Sequence, residues 1–134
     1  VTDTLLDSNI ILDVVTNDPV WADWSIEQIV AARLTGQVII DAIVYAEICC
    51  GVGTIDAADE IVRSVGGIVV ATPRGALFLA AQASLDYRRR GGRRSSILPD
   101  FFVGAHAFVL SARLVTRDPK RFRQSFPDLE IIAP

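Results

Sequence analysis

Cysteine is nearly absent from this chain of 134 residues, and the two it has, Cys49 and Cys50, are adjacent. Neighbouring cysteines give neither a disulfide framework nor a zinc-ligand spacing. Two buried, inert thiols are expected. Histidine occurs once, as His106, which excludes the two-histidine acid–base mechanism of metal-free ribonucleases. Set between Ala105 and Ala107, it is read as a packing residue. No apolar run approaches the roughly 20 residues of a membrane span; the longest are interrupted by Glu47 or Gln82. No basic start precedes an apolar stretch, so no secretory signal is expected. The chain begins at Val1, which leaves room for residues upstream. A cytoplasmic protein with no membrane partner follows as the expectation. Gly51-Val52-Gly53 has no third glycine at Asp56 and there is no P-loop, which argues against nucleotide binding.

What is present begins with apolar residues, 51% of the total. That is enough to bury a core in one domain spanning residues 1–134. The net charge of −3 hides a division. Residues 1–87 carry three arginines against twelve acids, and residues 88–123 carry ten basic residues against two acids. A basic block in an acidic chain suggests a surface facing a polyanion. The two acids inside it are Asp100 and Asp118.

Short apolar strands alternate with helical patterns. Leu5-Leu6 ends at Asp7, with Ser8 or Asn9 opening a helix to Val15. Pro19 is placed to start the next helix, which Gly36 closes. Val38–Ile40 reads as a strand, Ala42–Cys50 as a helix, and Ile55–Val65 as another with Asp59 and Glu60 outward. Ile68–Val70 is a strand, and Pro73–Arg90 a long helix. Leu98–Ala112 is a helix, Leu114–Thr116 a strand, Pro119–Ser125 a short helix, and Leu129–Ile132 a last strand at an edge. This alternation predicts an α/β fold with a mostly parallel sheet between helical layers.

Four acids stand where a bland surface charge should not. Asp7 follows a buried strand, at the carboxyl end where open α/β sheets bind ligands. Glu47 is the one charge in an apolar helix. Asp100 lies in a first helical turn beside Phe101-Phe102, and Asp118 follows a strand. Singly, Asp100 could serve the helix dipole and Asp118 could cap a helix. A buried Glu47 needs a partner. Two carboxylates at about 4 Å repel by roughly 4 kcal/mol at an effective dielectric of about 20. Four in one cleft therefore need a cation. Oxygen ligands without His or Cys select Mg²⁺ or Mn²⁺, ions suited to phosphoester cleavage. An acidic centre with a basic rim favours a nuclease over a phosphatase for small substrates.

The stretches Leu5-Leu6-Asp7-Ser8-Asn9-Ile10, Tyr45-Ala46-Glu47-Ile48 with Gly51, Pro99-Asp100-Phe101-Phe102-Val103-Gly104-Ala105-His106-Ala107 and Leu114-Val115-Thr116-Arg117-Asp118-Pro119-Lys120-Arg121-Phe122 resemble, in order, the four acidic motifs of PIN domains. The chain is most similar to the VapC ribonuclease toxins of bacterial toxin–antitoxin pairs, from about residue 4 to residue 132. The resemblance implies a three-layer sandwich around a mostly parallel sheet of about five strands. It implies Asp7, Glu47, Asp100 and Asp118 as catalytic, metal-ligating acids, with Asn9 and Thr116 in support. It also implies Mg²⁺- or Mn²⁺-dependent RNA cleavage, homodimers, inhibition by a cognate VapB-like antitoxin, and operator DNA bound only through that complex.

Arg88, Arg89, Arg90, Arg93 and Arg94 are read as RNA contacts, against a bland reading as a basic helix end and a solvated loop. Arg117, Lys120, Arg121 and Arg123, which flank Asp118, are read as contacts to RNA or antitoxin. Trp21 and Trp24 are assigned to core or dimer packing. Asp13 and Asp41 are read as surface or capping acids. The reading from another class is an interaction module whose acidic groove receives a basic peptide with little hydrolysis.

Overall fold

The computed structural model describes residues 1–92 and 98–134. Arg93 and Arg94 therefore lie outside the described residues. Five strands form one sheet: β1 (Thr4–Leu6), β2 (Val38–Asp41), β3 (Gly67–Val70), β4 (Arg113–Val115) and β5 (Ile131–Ile132). Their order is β3-β2-β1-β4-β5 and every pairing is parallel. Parallel strands need crossovers, and helices supply them. These are α1 (Ser8–Val15), α2 (Ala22–Thr35), α3 (Ala42–Cys49), α4 (Ile55–Ser64), α5 (Arg74–Arg89), α6 (Pro99–Val109) and α7 (Lys120–Ser125). Strands β1 and β2 are buried along their whole length, as their unbroken apolar runs require when both faces are covered. Strand β3 is an edge and leaves Ile68 and Val69 half exposed.

Topology decides where a site can form. The chain leaves β1 toward β2 and β3 on one side, then returns to build β4 and β5 on the other. The carboxyl ends of β1 and β4 therefore diverge into separate connections, at the switch point where open parallel sheets bind ligands. Leu6 pairs with Val115, and the Asp7 amide donates to the Val115 carbonyl at 3.0 Å. Asp7 and the segment 116–118 are thus neighbours by register.

Two glycines are demanded by close approach. A Cβ on Gly36 would sit 2.2 Å from the Thr2 carbonyl oxygen, and one on Gly104 would sit 2.5 Å from the Phe126 ring. The second glycine lets α6 pack against the segment after α7.

Several local expectations are corrected. Helix α1 opens at Ser8 as read, but its cap is Asp7, which accepts from the Ser8 amide at 2.8 Å. Helix α2 runs from Ala22 rather than from Pro19, and a turn precedes it in which the Asp18 carboxylate accepts from the amides of Val20 and Trp21, both at 2.9 Å. These bonds cap the turn that leads into α2, and the Asp18 carbonyl accepts from the Ala22 amide at 3.1 Å. Helix α6 ends at Val109, short of Ala112, where Ser111 turns left-handed at φ 53°. Asp59 points inward and accepts from the Tyr45 hydroxyl at 2.7 Å, while Glu60 stays outward and pairs with Arg63. Cys50 is exposed and Cys49 half-buried, so the thiols are not core residues. No helix among the described residues is long and apolar enough to cross a membrane.

Candidate functional site

Asp7 leaves β1 buried, with 7% of its surface exposed. A buried carboxylate must find donors, and the neighbouring strand end provides them. The Thr116 hydroxyl donates to Asp7 Oδ2 at 2.7 Å and accepts from the Asp118 amide at 3.0 Å. Asn9 donates through Nδ2 to Asp7 Oδ2 at 3.4 Å and to Asp118 Oδ2 at 3.2 Å. The Asn9 carbonyl oxygen accepts from the Arg117 amide at 3.3 Å. Two supporting side chains therefore bridge two acids that are 111 positions apart in the sequence.

Electrostatics ties the remaining acids to this pair. Burial pushes the Asp7 carboxyl above its ordinary value; Thr116 and Ser8 pull it back, and the charges of Asp100 and Asp118 push it up again. Glu47, half-buried on α3, is raised by burial first, then by the charges of Asp7, Asp100 and Asp41, while Ser8 eases it. Asp100 in the first turn of α6 is raised by burial and by Asp118, against the lowering effect of Arg121. The charge of Asp118 thus reaches Asp7 and Asp100, and those of Asp7 and Asp100 reach Glu47. Their carboxylates stand apart, however: among the described residues no three His, Cys, Asp or Glu side chains converge into a ready cation cage.

Basic residues flank the acids. A cleft of about 520 Å³ is bordered by Asp100, Asp118, Tyr87, Lys120 and Arg121. The Arg121 guanidinium lies 3.6 Å from Asp100 and 5.7 Å from the centre of the Tyr87 ring. Arg121 is one of the four basic residues that the sequence sets around Asp118, whereas nothing in the sequence pointed to Tyr87. Arg88, Arg89 and Arg90 are exposed at the end of α5. Arg89 and Arg90 line a second cleft that shares Gln124 with the first.

Arg117 and Asp13 have other surroundings than expected, and Asp41 is the capping acid it was read as but an enclosed one. Arg117 borders the cleft, but its Nε donates to Asp13 at 2.8 Å and its guanidinium lies 5.4 Å from the centre of a Trp21 ring. Asp13 is 3% exposed and also accepts from the Ser25 hydroxyl at 2.8 Å, so it is no surface acid. Asp41 is fully buried as well. It caps α3 through the Ile43 amide at 2.7 Å, and it meets the Thr72 hydroxyl at 2.8 Å and His106 Nδ1 at 2.5 Å. Burial would raise its carboxyl, but the bonds from His106, Ile43 and Thr72 hold it below the usual range. His106 is enclosed, as its packing reading required, and has no access to substrate.

The PIN domain family model matches residues 4–125. No curated protein matches the chain. Among solved structures, the chain is similar to the one described as VapBC2 from Rickettsia felis bound to a DNA fragment from their promoter, with TM-score 0.74, 17% identity, and 97% of each chain covered. It is also similar to VapBC-1 from nontypeable Haemophilus influenzae, with TM-score 0.69, 21% identity, and coverage of 97% of this chain and 96% of that one. FitAcB from Neisseria gonorrhoeae gives TM-score 0.70 at 20% identity, covering 98% of this chain and 97% of that one. At these identities the likeness is one of fold.

Proposed function

The chain belongs to the PIN domain family, and we propose that it is a metal-dependent endoribonuclease toxin of the VapC kind, neutralised by a VapB-like antitoxin. The observation that carries this reading is the grouping of acids at a topological switch point: Asn9 and Thr116 tie Asp7 to Asp118, and Asp100 borders the same cleft as Asp118. Such acids repel one another, and a structural role would not need them together. Their donor set is all oxygen, which fits Mg²⁺ or Mn²⁺. Asp7, Glu47, Asp100 and Asp118 would hold the ion. When bound, it supplies Lewis-acid charge to a phosphate and makes water acidic enough to attack.

The chain's own residues do the rest. Thr116 and Asn9 keep Asp7 and Asp118 together. Arg121 balances part of the Asp100 charge. Lys120, with Arg88, Arg89 and Arg90, offers cationic positions for an RNA backbone. Enclosure of His106 removes the one imidazole from proton transfer, which would leave the chemistry to the acids and the ion they would hold. The toxin would comprise one domain over residues 1–134 and act as a homodimer. The similar structures described as VapBC pairs, one of them bound to promoter DNA, support an antitoxin partner and operator DNA bound through the complex.

One observation favours the second reading, a weakly hydrolytic module that receives a basic peptide: a guanidinium already lies beside Asp100. Thermal unfolding of metal-stripped protein separates the two. The parent should gain stability with Mn²⁺ or Mg²⁺, about 2.7 kcal/mol at a hundredfold excess over Kd. Asp7→Asn and Asp118→Asn should lose that gain and cleave no RNA. Cleavage by Asp7→Asn as fast as by the parent would sink the metal assignment.

A further inference from the structure

Asp118 is exposed and lies in a loop, so something must keep it beside Asp7. Thr116 and Asn9 contribute one contact each to its amide and carboxylate. The residue between Thr116 and Asp118 is anchored far more deeply. Arg117 reaches back to Asp13, a 3% exposed carboxylate whose other partner is Ser25 of α2. Its guanidinium lies by the Trp21 ring, and its charge is also felt by Asp18, which fixes the turn before α2. Asn9 and Asp13 are four residues apart on α1, hence on one face of that helix. The same face receives the Arg117 amide and the Arg117 side chain. Only the Asp13 end of this ion pair is enclosed, Arg117 being 27% exposed, so removing the arginine would leave an enclosed carboxylate without its cation.

We infer that Arg117 is a positioning residue: seated on Asp13 and Trp21, it clamps the loop after β4 to α1 and so holds Asn9 and Asp118 in place. It acts through Asp118 and is not a contact to RNA. The clamp stands on the geometry alone; its consequence for metal affinity rests on the function proposed above.

The test uses the full chain, metal-stripped, as parent, Arg117→Gln, Asp13→Asn and the conservative Arg117→Lys. The first readout is the Asn9 side-chain amide resonance by NMR, which needs no metal. The second is Mn²⁺ affinity by calorimetry. The third is the salt dependence of binding to an oligouridylate. A clamp predicts that Arg117→Gln and Asp13→Asn both move the Asn9 resonance toward its free position. It predicts that both weaken Mn²⁺ about ten- to a hundredfold, the usual cost of removing a group that orients a ligand. Arg117→Lys, which keeps a charge for Asp13, recovers part of both effects, and the salt slope of Arg117→Gln equals that of the parent. Lower thermal stability with an unmoved Asn9 resonance would overturn the clamp in favour of simple packing. A slope smaller by about 0.7 in Arg117→Gln, again with Asn9 unmoved, would overturn it in favour of an RNA contact. If the parent binds no Mn²⁺, the metal reading fails by itself. The Asn9 resonance then still decides: movement supports the clamp and its absence overturns it.

Discussion

Replacing Thr116 by valine takes one oxygen out of the interior and leaves the packed volume nearly unchanged. Thr116 has no exposed surface, and its hydroxyl serves two partners. The bond it donates to ionised Asp7 is worth about 1.5–3 kcal/mol, and the Asp118 amide left unpaired costs about 1 kcal/mol more. An added methyl group returns about 0.8 kcal/mol. The net loss at pH 7 is about 2.5 kcal/mol, or roughly 10 °C in Tm for a domain of this size. The pH dependence has a definite sign. The folded carboxyl of Asp7 is already raised above its ordinary 3.8, and Thr116 is the strongest influence pulling it down. Valine therefore raises it further. For a raised acid, stability is full below the unfolded value and is lost as pH rises through the folded one. Parent and variant should thus converge in acid, where protonated Asp7 no longer needs a donor, and the deficit at about pH 3 should fall below roughly 0.5 kcal/mol. Urea unfolding of the metal-stripped proteins at the two pH values measures this. An equal deficit at both, or none at pH 7, would refute the claim that the hydroxyl serves the charged form of Asp7.

Other outcomes follow from the same geometry. Asp41→Ala leaves Ile43, Thr72 and His106 without their shared acceptor and should cost about 3–5 kcal/mol at pH 7 by urea unfolding. Because the Asp41 carboxyl is held low, its contribution is present above the unfolded value and should fade as pH drops through the folded one; a deficit that grows in acid would contradict the assignment. Gly104→Ala forces a methyl group onto the rings of Phe126 and Phe122 and should cost about 1–3 kcal/mol. A variant of unchanged Tm would mean that α6 and its neighbours have room to separate. Replacing Arg88, Arg89 and Arg90 together by glutamine should reduce the salt slope for oligouridylate binding by about 2, at about 0.7 per phosphate contact. An unchanged slope would leave these arginines as a solvated helix end.

Much of this architecture is visible in the residue order. Apolar runs ending in Asp7 and Asp118, a lone charge at Glu47 and an acid in a first turn at Asp100 all mark positions by strand or helix period. The parallel sheet follows from the alternation of elements. Helix boundaries were less legible where a capped turn leads into the helix, as at Asp18 before α2. The inward turn of Asp59 was also hidden, because its partner Tyr45 lies on another helix.

The sequence by itself determined which acids sit at strand and helix ends, since periodicity is a local property of the chain. Only the tertiary structure decided what those ends face. Asp13 and Asp41 have the look of surface or capping acids until Arg117, 104 positions away, and His106, 65 positions away, are brought against them. Arg117 has the look of one more cation in a basic run until the packing of α1 and α2 supplies an enclosed carboxylate and an indole ring for it. The physical reason is that a long cationic side chain has many reachable positions. Its choice among them depends on which buried group would otherwise go unpaired, and that is settled only when distant elements pack together.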